Sequence, residues 1–345
     1  MPSLLWPAEA LYASIVRIRW WLYANQTLPQ SRLRNPVVSV GNLTTGGTGK
    51  TPTTITLARL LQRAGERVAV LSRGYRGVRS SKPLLVSDGE RLLSTARAAG
   101  DEAIVLAQNL PGVVIAVARN RGLAGEFVER QFQVSVHLLD DGFQHLALER
   151  NLNLLLIDAT NPFGGGLFPR GRLREPLEAI RRADAVILTR AELNASYREL
   201  REVVQRFNPE TPCLLAHQRL GRIRQLGCPD CTFETIPNQA KVVAFAGIGN
   251  PAQFFEMLRR NKVQLVDSRT FADHFDYTAS DCHDLLKWAR SLGVEFLVTT
   301  EKDAVKLHAD AFHPCTVLTV GVTMDFSQPE LLQQLLEGVL KKKSR

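Results

Sequence analysis

Residues 37–52, Val-Val-Ser-Val-Gly-Asn-Leu-Thr-Thr-Gly-Gly-Thr-Gly-Lys-Thr-Pro, hold the most specific chemistry of this 345-residue chain. An apolar run passes into a Gly-rich turn and then into a helical pattern, which is where a phosphate-binding loop places its charge. Gly46, Gly47 and Gly49 let the backbone curl so that successive N–H groups face phosphate oxygens; Thr45 and Thr48 complete the loop. Lys50 is spaced to reach β- and γ-phosphates, and the Thr51 hydroxyl to ligate the Mg²⁺ that bridges them. Thr44 stands where the strict pattern has Gly, so the turn is a variant.

Further polar clusters follow other apolar runs. Asp140-Asp141 directly after residues 134–139 has the form of a second Mg²⁺-binding element, a carboxylate fixed at a strand end. Adjacent side chains there point to opposite sides, so one of the two is expected as a direct ligand, and Asp141 is the choice. Asp101, in Gly100-Asp101-Glu102, precedes a helical stretch and reads either as an N-cap or as the base that accepts a proton from an attacking hydroxyl. Asp273-His274 lies in a loop between Phe271 and Phe275, and the imidazole can orient such a carboxylate if two domains close on one cleft. Arg73, Arg76, Arg119, Arg121, Arg170, Arg172 and Arg174 gather near predicted strand ends, where guanidinium groups suit bidentate phosphate binding. Residues 299–303, Thr-Thr-Glu-Lys-Asp, follow an apolar run much as a guanine-specificity motif does but lack its Asn-Lys-x-Asp order, so they are not read as selecting GTP.

The elements that must position these groups read as α/β. Apolar runs at 67–71, 111–116, 134–139, 154–157 and 185–188 alternate with helix-length segments, and a helix spans 53–64 with Gly65 as its stop. This predicts a P-loop NTPase-like, doubly wound, mostly parallel sheet with ligands at the carboxyl ends of its strands. The long loop 161–176 reads as a lid or binding loop. Residues 219–239, with Gly221, Gly227, Pro229 and Pro237, read as a linker. A second, smaller α/β domain follows, with strands at 242–246, 263–266 and 296–300, helices at 251–260 and 281–292, and a closing helix at about 328–340. The expected division is 1–30 for an N-terminal amphipathic helix, 31–218 for the nucleotide-binding domain, 219–239 for the linker and 240–345 for the domain that closes over the cleft.

Hydrophobic content of 45% and charged content of 22% are those of a globular protein, which excludes disorder. A net charge of +9 and a Lys-Lys-Lys-Ser-Arg ending favour anionic partners, although no nucleic-acid motif accompanies the charge. Five cysteines and no secretory cleavage pattern fit a reducing compartment, and Cys228-Pro229-Asp230-Cys231 lacks the second pair that a zinc site needs. Leu4, Leu11, Ile15, Ile18 and Leu22 form one apolar stripe interrupted by Glu9, Arg17 and Arg19, too charged for a spanning helix. With Trp6, Tyr12, Trp20, Trp21 and Tyr23 it suits a helix lying in a membrane interface, or one that packs its stripe on its own domain.

Together the segments 40–52, 72–77 (Ser-Arg-Gly-Tyr-Arg-Gly), 100–102, 140–145 (Asp-Asp-Gly-Phe-Gln-His), 170–176 (Arg-Gly-Arg-Leu-Arg-Glu-Pro), 271–277 and 300–306 (Thr-Glu-Lys-Asp-Ala-Val-Lys) resemble the tetraacyldisaccharide 4′-kinase family, the lipid A 4′-kinases of Gram-negative bacteria. The resemblance runs through nearly the whole chain in order, and the family's loop resembles the Thr44 variant. It implies transfer of the ATP γ-phosphate, with Mg²⁺, to the 4′-hydroxyl of tetraacyldisaccharide 1-phosphate at the cytoplasmic face of the inner membrane. It implies Asp101 as catalytic base, His274 as its partner and Lys50 as a catalytic charge, with Asp141 and Glu175 tied to Mg²⁺ or phosphate. Arg73, Tyr75, Asp140, Gln144, Arg119 and Arg172 fall on the substrate side, and the N-terminal helix resembles a membrane-docking element. No protein partner is evident.

Two other readings compete: a kinase of a small soluble metabolite, and a P-loop ATPase switch that phosphorylates nothing. Either reading keeps the phosphate loop. Replacing Lys50 by Ala should cut turnover sharply by removing phosphate charge, as measured by steady-state ATP consumption; near-normal activity would exclude a phosphate-binding role for residues 44–51.

Overall fold

The structure, a computed structural model, describes residues 5–75, 77, 82–191, 197–237 and 240–341. Leu4, Arg76, residues 238 and 239 of the expected linker, and the basic ending at 342–345 lie outside the described residues.

Helix α1 (Trp6–Ala24) precedes β1 (Val37–Asn42), α2 (Lys50–Arg63), β2 (Val68–Ser72), β3 (Leu84–Asp88), α3 (Ala96–Ala99), α4 (Asp101–Asn109) and β4 (Val114–Val117). The first half continues with α5 (Arg121–Gln131), β5 (Val136–Asp140), β6 (Leu152–Asp158) and β7 (Ala185–Thr189). Then come α6 (Tyr197–Phe207), β8 (Cys213–Gln225), β9 (Cys228–Phe233), β10 (Lys241–Ala246), α7 (Pro251–Arg260), β11 (Gln264–Thr270) and α8 (Ala279–Ser291). The chain ends with β12 (Phe296–Thr300), α9 (Glu301–Ala304), β13 (Thr316–Phe326) and α10 (Pro329–Lys341).

The strands join one sheet in the order β11-β10-β12-β13-β8-β7-β6-β1-β5-β2-β4-β3, with β9 paired to β8. β1 lies parallel between β5 and β6, and every residue of β1, β2, β4, β5 and β7 is buried. Helices cover both faces of such a sheet, which is why these strands read as unbroken apolar runs. The predicted strand-helix alternation is present, with boundaries shifted by a few residues.

Residues 219–237 are largely strand rather than linker. They complete the long β8 and form β9, and β8 pairs antiparallel with β13, so the sheet runs without a break from one half of the molecule to the other. Leu220 and Ile223 face the second half's core, while Arg219 and Arg222 are more exposed. The Gly and Pro residues masked that alternation in the sequence. Gly221 permits the close crossing: a Cβ there would sit 3.0 Å from the Gly321 carbonyl carbon. Cys228 and Cys231 are joined in a disulfide within this hairpin.

The expected boundary of the second domain also moves. Met324 and Phe326 of β13 and Leu332, Leu336 and Val339 of α10 pack into the core built by β1, β6 and α2. The C-terminal helix thus returns to the first half. For α1, the structure bears on one of the two readings left open by the sequence, a stripe packed on its own domain. Leu11, Ile15 and Ile18 are 65%, 55% and 58% exposed, whereas Ala13 and Val16 are buried against the protein. Its stripe does not pack on its own domain. Among the described residues no helix is long and apolar enough to cross a membrane.

One tight joint in the first half lies where β1 runs into the phosphate loop. A Cβ on Gly41 would stand 2.6 Å from both Cβ and backbone N of Phe143. Gly41→Ala should therefore cost ~1–3 kcal/mol of stability through overpacking, read from chemical denaturation. An unchanged midpoint would show that this crossing is looser than its geometry.

Candidate active site

The loop after β1 forms because two glycines take conformations that side chains resist: Gly46 has φ 113° and Gly49, which caps α2, has φ 88°. α2 then starts at Lys50, so its free N–H groups and positive dipole end face the loop's concavity. Lys50 Nζ donates to Asn42 Oδ1 at 3.3 Å and lies 3.7 Å from Asp141 Oδ1. The loop is held from outside by three contacts. Thr189 Oγ1 donates to the Thr48 carbonyl (3.1 Å), Arg190 to the Gly47 carbonyl (2.7 Å), and the Thr45 N–H donates to the Arg172 carbonyl (2.8 Å).

Arg174 forks onto Asp141 with bonds of 2.8 and 3.0 Å and also reaches the Asn42 carbonyl at 3.2 Å. Burial pushes Asp141 up, but Lys50 and Arg174 outweigh it and hold the carboxyl far below the usual range. Asp140 behaves oppositely. It is 1% exposed, bonded through Oδ1 to Thr54 with no partner on Oδ2, and burial, with the charges of Glu102 and Asp141, pushes it up to about 7. The adjacent pair is split as the alternation of a strand end requires, with only Asp141 on the cavity wall.

The opposite side of the cleft draws on both halves, α4 of the first and the loop after β11 of the second. Asp101 opens α4 after Gly100 (φ 87°), its Oδ1 accepts from the Glu102 N–H at 2.8 Å, and its Oδ2 lies 2.6 Å from His274 Nδ1. His274 has φ 59°, donates its backbone N–H to Gly247 (2.9 Å) and sets its ring 5.3 Å from that of Tyr75. Burial raises the Asp101 carboxyl, but His274 and then Lys302 overcome this, so Asp101 lies below its ordinary range. The loop between β10 and α7 leans over the phosphate loop, where a Cβ on Gly249 would be 3.6 Å from the Gly47 N. The cleft enclosed by both halves has a volume of about 470 Å³.

Of the residues expected at the site, Thr45 to Thr51, Arg73, Tyr75, Asp141 and His274 line this cleft, and Asp101 stands behind His274. Glu175 does not belong to a metal set. It is 1% exposed and already takes bonds from Trp20 (2.9 Å), Gln144 (3.1 Å) and Arg182 (2.6 Å). Gln144 is committed to Glu175 and the Asn42 carbonyl, so it is a brace beneath the loop. Arg119 is exposed and its carbonyl accepts from Arg121, which is 6% exposed. Arg121, the first residue of α5, and not Arg119, which precedes the Asn120 cap, is turned toward Arg73 and the two aspartates. Arg172 is exposed and covers Gly46 from outside the cavity.

Sequence reasoning gave no role to Arg190, Glu102 or Lys302, which all line the cleft. Arg190 follows β7 directly, the strand-end signal already used for Asp140 and Asp141. Glu102 and Lys302 stood inside motifs that had been quoted for other residues.

A model of the tetraacyldisaccharide-1-P 4′-kinase family matches residues 1–341. The chain is 40% identical over 343 residues to a tetraacyldisaccharide 4′-kinase of Pelobacter propionicus, covering 99% of this chain and 93% of that protein. It is 39% identical over 333 residues to one from Geobacter metallireducens, covering 95% of each. The crystal structure of LpxK from Aquifex aeolicus in complex with ATP superposes with a TM-score of 0.78 at 31% identity, covering 98% of this chain and 99% of that one. The cleft described above is therefore set in the framework of a known kinase family, and this chain belongs to the tetraacyldisaccharide-1-P 4′-kinase family.

Proposed function

We propose that this chain transfers the γ-phosphate of ATP to the 4′-hydroxyl of a tetraacyldisaccharide 1-phosphate, a step of lipid A synthesis, while docked on the cytoplasmic face of the inner membrane. The observation that carries the reading is the Asp101–His274 pair facing a phosphate loop from the other half of the cleft. A hydrolytic switch needs water held near that loop and no buried base opposite it.

In this reading the loop amides and Lys50 hold the β- and γ-phosphates. The acceptor oxygen attacks phosphorus in line, the bond to the β–γ bridging oxygen breaks, and Asp101 Oδ2 takes the hydroxyl proton while His274 keeps the carboxylate oriented. Among the described residues no cluster of three or more His, Cys, Asp or Glu is arranged to hold a metal. That fits Mg²⁺, which takes few protein ligands and completes its shell with phosphate oxygens and water. Thr51 and Asp141 offer hard oxygens on the cleft wall next to Lys50 and would hold it. When bound, Mg²⁺ neutralises charge developing on the phosphate oxygens.

The substrate's own anionic group has a place beside the cleft. Arg19, Arg73, Arg121 and Arg150 surround His145, whose Nε2 is buried without a partner. The lipid end is served by α1, whose Leu11, Ile15, Ile18 and Trp21 face outward next to Phe168, while Glu9, Arg17 and Arg19 bond inward. A kinase of a small soluble metabolite has no use for that exposed stripe.

The direct test is transfer of labelled γ-phosphate from ATP to detergent-dispersed tetraacyldisaccharide 1-phosphate. Wild type should label the lipid, and Asp101→Ala should lower kcat by ~10²–10⁴. ATP hydrolysis without lipid labelling would move the assignment to the switch. The basic cluster is tested separately by NMR titration of the His145 ring. Burial, then Arg121 and Arg150, pull it down to about 3, against an unfolded value of about 6.5. Between those values the unfolded chain binds more protons, so this group removes stability as pH falls from about 6.5 toward 3. A ring midpoint near 6.5 would show that the arginines do not crowd it.

A further inference from the structure

The motif at 300–306, Thr-Glu-Lys-Asp-Ala-Val-Lys, has no part in the mechanism above. It forms the start of α9, and its side chains reach both partners of the catalytic pair. On one side, Asp303 is fully buried and accepts from Thr300 Oγ1 (2.7 Å), the Gly247 N–H (3.1 Å), Tyr277 (3.1 Å) and Lys306 (3.3 Å). The same Gly247 accepts the backbone N–H of His274 through its carbonyl. On the other side, Lys302 pairs with Glu102, and Glu301 accepts from Asn109 Nδ2 at 3.0 Å. Glu102 and Asn109 stand near the two ends of α4, the helix whose first residue is Asp101. One turn of chain therefore fixes the imidazole loop and the carboxylate helix at once.

We propose that Lys302, carried by α9, is a positioning residue for phosphoryl transfer: it grips α4 through Glu102 from across the cleft and so holds Asp101 against His274. The inference rests on Asp101 being the base. Lys302 acts on Asp101 by charge as well as by tether. The charged groups around this point are His274 from the loop after β11, Lys302 and Lys306 from the α9 segment, Glu102 beside Asp101 on α4, Asp140 after β5 and Lys50 at the start of α2. Three carboxylates thus face Lys302, and without its charge Asp101 keeps its bond to His274 and the charge of Lys306 but loses the nearer compensation of Glu102.

The experiment compares Lys302→Met, Lys302→Gln and Lys302→Arg in the full chain, by lipid phosphorylation across pH and by thermal melting. The Gln variant can still donate to Glu102, so it reports on charge even if the Met variant does not fold. Loss of the charge should lower kcat about tenfold and raise the acidic limb of kcat/KM by about one pH unit, with KM for ATP changed less than about twofold. Lys302→Arg should restore the wild-type limb. Wild-type turnover in both neutral variants, or a lowered melting temperature with an unmoved acidic limb, would overturn the positioning role. Asp101→Asn assayed in parallel keeps the two ideas apart. If it still phosphorylates lipid, the base assignment fails and the inference with it; if it is inactive while Lys302→Gln matches wild type, only the inference fails.

Discussion

The site depends on one bond, the 2.6 Å contact between Asp101 and His274, whose partners are 173 residues apart and belong to opposite halves of the sheet. General-base chemistry tolerates little error in such a distance, since displacement of about 1 Å can cost about 10²-fold. What fixes it is continuity of the sheet. β8 pairs parallel with β7 and antiparallel with β13, so the first half passes into the second through backbone hydrogen bonds and not through a flexible connection. α10 then returns to the first core and closes the joint. Smaller links lie around the cleft itself, Gln253 to Thr160 at 3.2 Å and Glu301 to Asn109 among them.

Charge is the second constraint. The phosphate loop gathers Lys50, Arg174 and Arg190 within one cleft, which without anions would repel one another. Asp141 between Lys50 and Arg174, and Asp158 against Arg190, supply the compensation within the protein. Asp140 receives no such help, and its carboxyl rises accordingly, because its only bonded partner is a neutral hydroxyl. Two neighbouring aspartates are therefore pushed in opposite directions from the usual carboxylate range by their surroundings and not by their residue type.

That distinction marks how much the sequence could convey. The loop, its strand and its helix were legible because glycine, lysine and apolar periodicity are local signals. Strand ends were legible for the same reason, and they located Asp141 and Tyr75 on one cleft. β8 was not, since its half-exposed face carries Arg219, Arg222 and Arg224 and its glycine serves a crossing that only the partner strand explains. Glu175 was expected near Mg²⁺ or phosphate from the resemblance alone, yet its carboxylate faces away from the cleft, into Trp20 and Arg182. Arg119 and Arg121 lie on either side of the Asn120 cap, and only the second belongs to α5, a boundary that two nearby arginines do not mark in sequence. The linker composition of 219–239 misled because Gly and Pro report turns and close approaches alike.

The segment 164–182 shows why α1 and the phosphate loop cannot be considered apart. From α1, Glu9 holds Arg170, Tyr12 donates to the Arg174 carbonyl at 2.8 Å, Arg17 pairs with Glu178 at 2.7 Å and Trp20 donates to Glu175. On its other side the same segment binds Thr45 and Leu43 of the loop through backbone bonds and Asp141 through Arg174. α1 has few apolar contacts of its own with the protein, so these polar bonds are what turn its apolar face outward. A helix placed this way presents lipid-compatible surface only because its polar face is spent on the strap that shapes the nucleotide site. The amphipathic pattern of residues 6–24 is thus divided between an exposed apolar stripe on one side and a lattice of arginines and carboxylates on the other.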